Sequence, residues 1–337
     1  MKYLRSFILT CLFAFIAIHA NATNADFTVD GFGYAITSAA DLTVKVVSSP
    51  DREVISIPST VVFNKRTFRI TGIGEEAFQD HDHLISVDMP WITYIESNEL
   101  GAFWSCDHLK QVNMPKVTSI GERAFQNCRT LTSVNLPVAT SIGYGAFQDC
   151  EALASVSLPI ATFIGDGAFL NCEALTSINL PVADSIGNNT FQNCKALTSV
   201  SLPTTTTIGY AAFQDCIALT SVSLPATESI GDGAFGGCDA LTNVSLPALT
   251  SIGERAFYGC KLLADIYVGK EPAMYIDDEI EASNPPFENV TYATATLHVP
   301  SGCASAYKAA KVSHLPFYRL PRIIAHCNML TDKRLIF

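Results

Sequence analysis

The apolar positions of this chain keep a fixed schedule. Between residues 131 and 150 the recurring ones are Leu131, Val134, Leu136, Ile142, Phe147 and Cys150, with mostly polar or small residues between. The schedule restarts at Leu153, Leu175, Leu197, Leu219 and Leu241. Phe103, Phe125, Phe147, Phe169, Phe191, Phe213, Phe235 and Phe257 stand 22 residues apart, and Phe78 precedes Phe103 by 25. One copy therefore carries three extra residues, in "YIESNELGAF". The unit reads L-x-x-V-x-L-P-x-x-x-x-I-G-x-x-A-F-x-x-C-x-x. Its "V-x-L" alternates in, out, in, which predicts a short strand. Pro137 cannot donate to a ladder and ends it. A second extended piece closes at Ile142, and Gly143 predicts a sharp turn with positive φ. Phe147, Cys150 and Leu153 follow at intervals of three, which predicts one helical or 3-10 turn with its apolar side inward.

A 22-residue unit cannot bury its own apolar side, whereas stacked units can. The expected fold is a repeat solenoid with a parallel β-sheet on one face and short strands and helical or 3-10 turns elsewhere. Nine strand copies, from Val87 to Val268, would run about 40 Å at the usual strand spacing. A period of 22 with Pro and Gly in nearly every copy argues against a coiled coil or a mixed α/β globule. Residues 23–72 lack the period and read as short strands, with turns at Asp30-Gly31 and Pro50-Asp51, so a β-rich N-terminal cap is expected there. The solenoid is assigned to 73–268. A capping unit is assigned to 269–322, in which "ATLHVPSGCASAYKAAKV" reads as strand, turn and short helix. A basic tail occupies 323–337.

The first 22 residues read differently. Lys2 and Arg5 precede an apolar run from Phe7 to Ile18 and a small-x-small site ending at Ala22, the layout of an export signal. The run is short for a bilayer span. The mature chain is therefore expected to be exported, to the cell surface or the medium, and not membrane-spanning. Of 337 residues 48% are apolar and 16% charged, enough for a large core and too apolar for disorder. Thirty-two acidic against 21 basic residues argue against nucleic acid, which asks for basic surface.

The string "LTSVNLP…IGYGAFQDC" resembles leucine-rich repeats, and more closely their BspA-like branch, over about residues 26 to 320. The resemblance implies a secreted or surface protein that adheres to host proteins, glycans or other cells. The family's closing unit, a strand ending in Val-Pro before a Tyr-bearing helix, is recognisable near 296–310, but the sequence departs from the family after it.

Several residues are candidates for chemistry. Cys106, Cys128, Cys150, Cys172, Cys194, Cys216, Cys238 and Cys260 share one repeat position. Adjacent coils leave some disulfides allowed by distance, but in-register side chains run parallel, whereas a bridge needs converging Cβ atoms. Zinc needs four converging ligands rather than a line of thiols. The favoured reading is small apolar packing by free thiols. The outward positions of the "V-x-L" strands form the candidate ligand face: Asn113, Ser133, Asn135, Ser155, Ser157, Ser177, Asn179, Ser199, Ser201, Ser221, Ser223, Asn243, Ser245 and Tyr267. Such extended faces are what solenoids use for binding. Lacking aromatic or Arg anchors before Tyr267, this one predicts weak or multivalent contact. "HDHL" and "CDHL" place Asp82 and His83 at positions equivalent to Asp107 and His108, a speculative divalent-metal site; a solvated turn is the plainer reading. Four N-x-S/T sequons begin at Asn21, Asn188, Asn243 and Asn289. Nucleophile-elbow, phosphate-loop and H-E-x-x-H motifs are absent from the sequence, so no enzyme and no cofactor is expected. A spacer solenoid without a ligand is the alternative.

Overall fold

The computed structural model describes residues 25–96, 100–269, 274–275, 285–287, 291, 294–305 and 322–326. The export segment 1–22, most of the helix expected after residue 303, and most of the basic tail lie outside them. Among the described residues the architecture is a parallel β-solenoid of about 11 turns with 22-residue spacing and almost no helix.

The cap comes first. Strands β1 (Phe27–Val29), β2 (Phe32–Ser38) and β3 (Thr43–Ser48) form an antiparallel meander. The turn between β1 and β2 places Asp30 and Gly31 at φ 52 and 87°, the primed-turn geometry that matches strand twist. Strand β6 (Arg66–Ile73) pairs antiparallel with β5 (Thr60–Phe63) and parallel with β3. Phe27 stacks on Phe63 at 4.3 Å, closing the cap's apolar side. The strand β4 (Val54–Ser56) already pairs in parallel with Ser86–Asp88, so the first strand of the solenoid face lies inside the segment assigned to the cap.

Each coil then has three sides. The first is the "V-x-L" strand: Ser133–Asn135 pairs in parallel with Ser155–Ser157, and equivalent pairs recur along the molecule. The second is a two-residue strand such as Ser141–Ile142, in register with Ser119–Ile120 and Phe163–Ile164. This second row continues directly from β6, which pairs with Tyr94–Ile95.

The third side differs from the expected helical turn. Its residues form successive tight turns, with residues such as Arg123, Asn127, Gly145, Asp149, Asn171 and Asn193 at φ between 52 and 62°. Every second amide on this side bonds the next coil: Gly145, Phe147 and Asp149 donate to the carbonyls of Asp166, Ala168 and Leu170 at 2.8–3.0 Å. A 3-10 turn would keep those donors within the coil; a ladder to the neighbour needs left-handed residues that aim them outward. Asn and Asp tolerate that conformation best among residues with side chains. They also bond one another from coil to coil, Asn171 Nδ2 to Asp149 Oδ1 at 2.6 Å and Asn193 Nδ2 to Asn171 Oδ1 at 2.8 Å.

Gly143 corrects a second expectation. Its φ is not positive. A Cβ there would stand 2.7 Å from Glu122 N and 2.8 Å from Gly121 C, so glycine is required by the close approach of two coils.

The core is a set of columns running along the solenoid. Ten phenylalanines, from Phe78 to Phe287, stack face to face with ring centroids 4.5–5.5 Å apart and planes within 14°. Beside them run the cysteines, all eight buried and unbridged. Each Sγ donates to the carbonyl of the phenylalanine in the preceding coil, as Cys150 does to Phe125 at 3.1 Å. Burial pushes the Cys150 and Cys194 thiols well up, which keeps them neutral. His81 fills the cysteine position of the first coil, with Nε2 2.8 Å from Ser49 Oγ.

At the far end the first row continues through Asp265–Val268, Thr296–Pro300 and Arg322–His326, all parallel. The division expected between residues 322 and 323 thus falls inside a strand, because the backbone there still has a neighbour to pair with.

Candidate ligand-binding face

The first row presents the candidate residues side by side. Ser133 pairs with Ser155 and Asn135 with Ser157; Ser177 pairs with Ser199 and Asn179 with Ser201; Ser221 pairs with Asn243 and Ser223 with Ser245. Their side chains point to solvent because the intervening Val134, Ile178, Val222 and Val244 are buried, and strand alternation leaves the flanking residues no other direction. Most are exposed, and Ser221, Asn243, Ser245 and Tyr267 are half-buried.

The hydroxyls of this strip differ from those beside it. Several threonines that precede these strands are committed to the scaffold: Thr176 donates to Ala154 O at 3.3 Å, Thr198 to Thr176 O at 3.1 Å and Thr242 to Thr220 O at 3.0 Å. Among the described residues, Ser133, Asn135, Ser155, Ser157, Ser177, Asn179, Ser199, Ser201 and Ser223 make no side-chain hydrogen bond. At the near end Asn113 is committed, its amide donating to Asp88 at 2.6 Å. At the far end the Tyr267 ring stacks on His298 at 4.2 Å, and His298 Nε2 lies 2.7 Å from Asp265 Oδ1. Charged residues sit on the turn preceding the strip, where Arg129 faces Glu151 at 3.8 Å and Lys195 faces Glu173 at 2.6 Å. Both pairs are about half exposed, and such pairs contribute little.

The four residues considered for metal are not gathered into a site. His83 turns to the cap, where its Nδ1 lies 2.6 Å from Asp51 Oδ2 and its amide donates to Asp51 Oδ1. Among the described residues no group of three or more His, Cys, Asp or Glu is placed to hold a metal ion, so Asp82, Asp107 and His108 gain no partner for that purpose.

The second row carries a feature that the repeat pattern hides. Its outward position is Ser or Thr in most coils but Tyr94 and Phe163 in two, with Ser119 and Ser141 in register between them. These residues line an open groove of about 710 Å³ that also takes in Glu96, Glu122, Tyr144 and Asp166. The signal was the pair of aromatic residues in a column that carries hydroxyls at its other positions from Ser119 to Ser251.

One leucine-type motif per coil, stacked in register around a continuous core, defines a leucine-rich-repeat solenoid. The chain belongs to the BspA type leucine rich repeat family, whose model matches residues 58–154 and 162–279 in six copies, more than half of the chain. Among solved structures, a leucine rich repeat protein of T. pallidum is similar at 24% identity and TM-score 0.51, covering 57% of this chain and 90% of that one. A leucine rich cell surface protein of Faecalibacterium prausnitzii shares 22% identity at TM-score 0.36, covering 77% of this chain and 97% of that one. The pneumococcal vaccine antigen PcpA shares 16% at TM-score 0.38, covering 89% and 98%. No curated protein matches the chain. No helix among the described residues is long and apolar enough to cross a membrane.

Proposed function

We propose that the protein is an exported surface or secreted binding protein. It holds a host protein, a glycan or a neighbouring cell through the first-row strip. The observation that carries this reading is the unused hydrogen-bonding capacity of Ser133 to Ser223, beside threonines that are fully committed. Donors and acceptors that bond only water are free to change partner for a ligand, whereas those committed to the scaffold are not. The strip lacks large anchors, so each coil contributes weakly and strength comes from engaging several at once. The chemistry is recognition without turnover: the strip offers no nucleophile paired with a base.

The test is an array of glycans and host-surface proteins probed with the mature chain in multivalent form. A hit that disappears when Ser155, Ser177 and Ser199 are each replaced by Tyr supports the strip. Failure to bind anything at high avidity leaves the solenoid a spacer.

A further inference from the structure

The groove on the second row is a separate site. We propose that it binds a neutral saccharide, with Phe163 and Tyr144 as stacking platforms and Glu122 as the principal hydroxyl acceptor.

The argument begins with shape. Tyr94, Ser119, Ser141 and Phe163 occupy four successive coils in register, which spans about 14 Å at the strand spacing. Gly121, Gly143 and Gly165 contribute only backbone to the lining, so no side chain stands between the strand row and the row of Glu122, Tyr144 and Asp166. The Phe163 side chain is 57% exposed and that of Tyr144 43%, although both stand on well-packed coils. At the position of Phe163, which serine or threonine fills in most coils, a large aromatic residue exposes apolar area with no benefit to the core, while the position of Tyr144 is acidic or amide in most coils and Tyr again at Tyr210. Pockets for small molecules combine such apolar walls with a few placed polar groups.

Charge then selects among ligands. Three carboxylates line the groove, which at first suggests a cationic guest. One of them is neutralised by an ion pair, and another has its oxygens engaged while keeping its charge. Glu96 is paired with Lys45, and Asp166 accepts from the amide of Asn188 at 2.8 Å and from its side chain at 3.1 Å. The Arg123 guanidinium lies 5.4 Å from the Tyr144 ring centroid, so a cation already stands against one face of that ring and a ligand would use the exposed remainder of Tyr144 together with Phe163. Glu96, Glu122 and Asp166 against Lys45 and Arg123 leave a single net negative charge, and what the groove offers a ligand is acceptor capacity on exposed Glu122, serine hydroxyls and the ring of Phe163. The complementary molecule is rich in hydroxyl donors and has an apolar face of C–H groups. A pyranose has both.

This site is independent of the first-row strip, which lies on another side of each coil. The test uses the mature full-length chain, with Phe163→Ala and Tyr144→Ala as groove variants and the Ser155, Ser177 and Ser199 replacements as the strip control. A panel of neutral oligosaccharides and of Lys- and Arg-rich peptides is screened by titration calorimetry at low and high salt. The expected result is saturable binding of a neutral saccharide, weakened about tenfold or more by either groove variant, about 1.4 kcal/mol. The strip control leaves it unchanged, and salt has little effect. The proposal is overturned if no saccharide saturates at millimolar concentration. It is equally overturned if binding survives both groove variants, or if the groove takes a cationic peptide in a salt-sensitive way. Because Phe163 is a surface residue, retained far-UV circular dichroism and an unchanged unfolding midpoint separate loss of binding from loss of fold.

Discussion

Two phenylalanines six residues apart in one coil should behave in opposite ways. Phe169 is fully buried in the aromatic column, between Phe147 and Phe191 at 5.4 Å on each side. Phe163 faces solvent on the second row. Replacing Phe169 by Ala removes the transfer free energy of a buried ring and leaves a cavity. That cavity cannot close, because the inter-coil ladders fix the spacing: Phe169 N donates to Thr190 O at 2.9 Å and Phe147 N to Ala168 O at 2.8 Å. A site that cannot collapse belongs at the upper end of the range for such changes, about 4–5 kcal/mol. The two lost stacking contacts fall within that figure and are not added to it. Phe163→Ala should stay within about 0.5 kcal/mol of the parent. Urea unfolding followed by far-UV circular dichroism reads both, and native-state hydrogen exchange locates the loss in the coils around 147–191. Equal midpoints for the two variants, or a Phe169→Ala cost below that of ordinary surface changes, would refute the rigid-column argument.

Other expectations follow from the same geometry. The eight column thiols should resist a thiol reagent in the native protein at pH 8, since all are buried away from the reagent, and all should react after denaturation without reductant; a shortfall would reveal disulfides. Gly231→Ala, whose Cβ would meet the backbone of Gly209 and Tyr210 at 2.8 Å, should cost about 1–3 kcal/mol. Gly233→Ala has a φ of 59° but open space, and Ala211 already stands at φ 50° in the equivalent position, so its cost should be nearer 1 kcal/mol; the reverse order in thermal melts would show that conformation, not contact, governs these glycines. For His83 the hydrogen bond to Asp51 raises the imidazole pKa above its ordinary 6.5. Its stabilising contribution is then complete below that value and fades as pH rises through the folded-state value, so His83→Ala should flatten the stability profile in the window just above 6.5. For Asp51, burial acts to raise the carboxyl, but the His83 hydrogen bonds outweigh it and lower the pKa below 3.8, so its contribution is lost only in more acid solution.

The repeat pattern made the scaffold legible because each core position recurs in every coil. Leu131, Val134, Leu136, Ile142, Phe147 and Cys150 are buried as alternation and spacing require. The third side was misread for a physical reason. Spacing by three is shared by a 3-10 turn and by tight turns with left-handed residues. The discriminating letters were Asn127, Asp149, Asn171, Asn193 and Asp215, each just before a cysteine. Glycine after isoleucine was likewise read as a turn residue, since a sequence does not show how closely a neighbouring backbone approaches. The strip was legible from alternation alone. The groove was not, because it arises from exceptions to the consensus, and attention to what repeats passes over what does not. The turn of His83 toward Asp51 depends on how the aperiodic cap folds back, which no period encodes.

The cysteine-to-carbonyl bond has one further consequence. Every coil offers its successor the same docking surface: a phenylalanine ring, a carbonyl for the incoming thiol and a row of amides. A 22-residue segment can therefore be duplicated or excised at the level of the gene without disturbing either junction. Each such event changes the molecule's reach by one strand spacing, about 4.8 Å. The chain is in this respect a ruler with interchangeable divisions. Because the strip runs through the same coils, each such step lengthens the molecule and adds to the strip together.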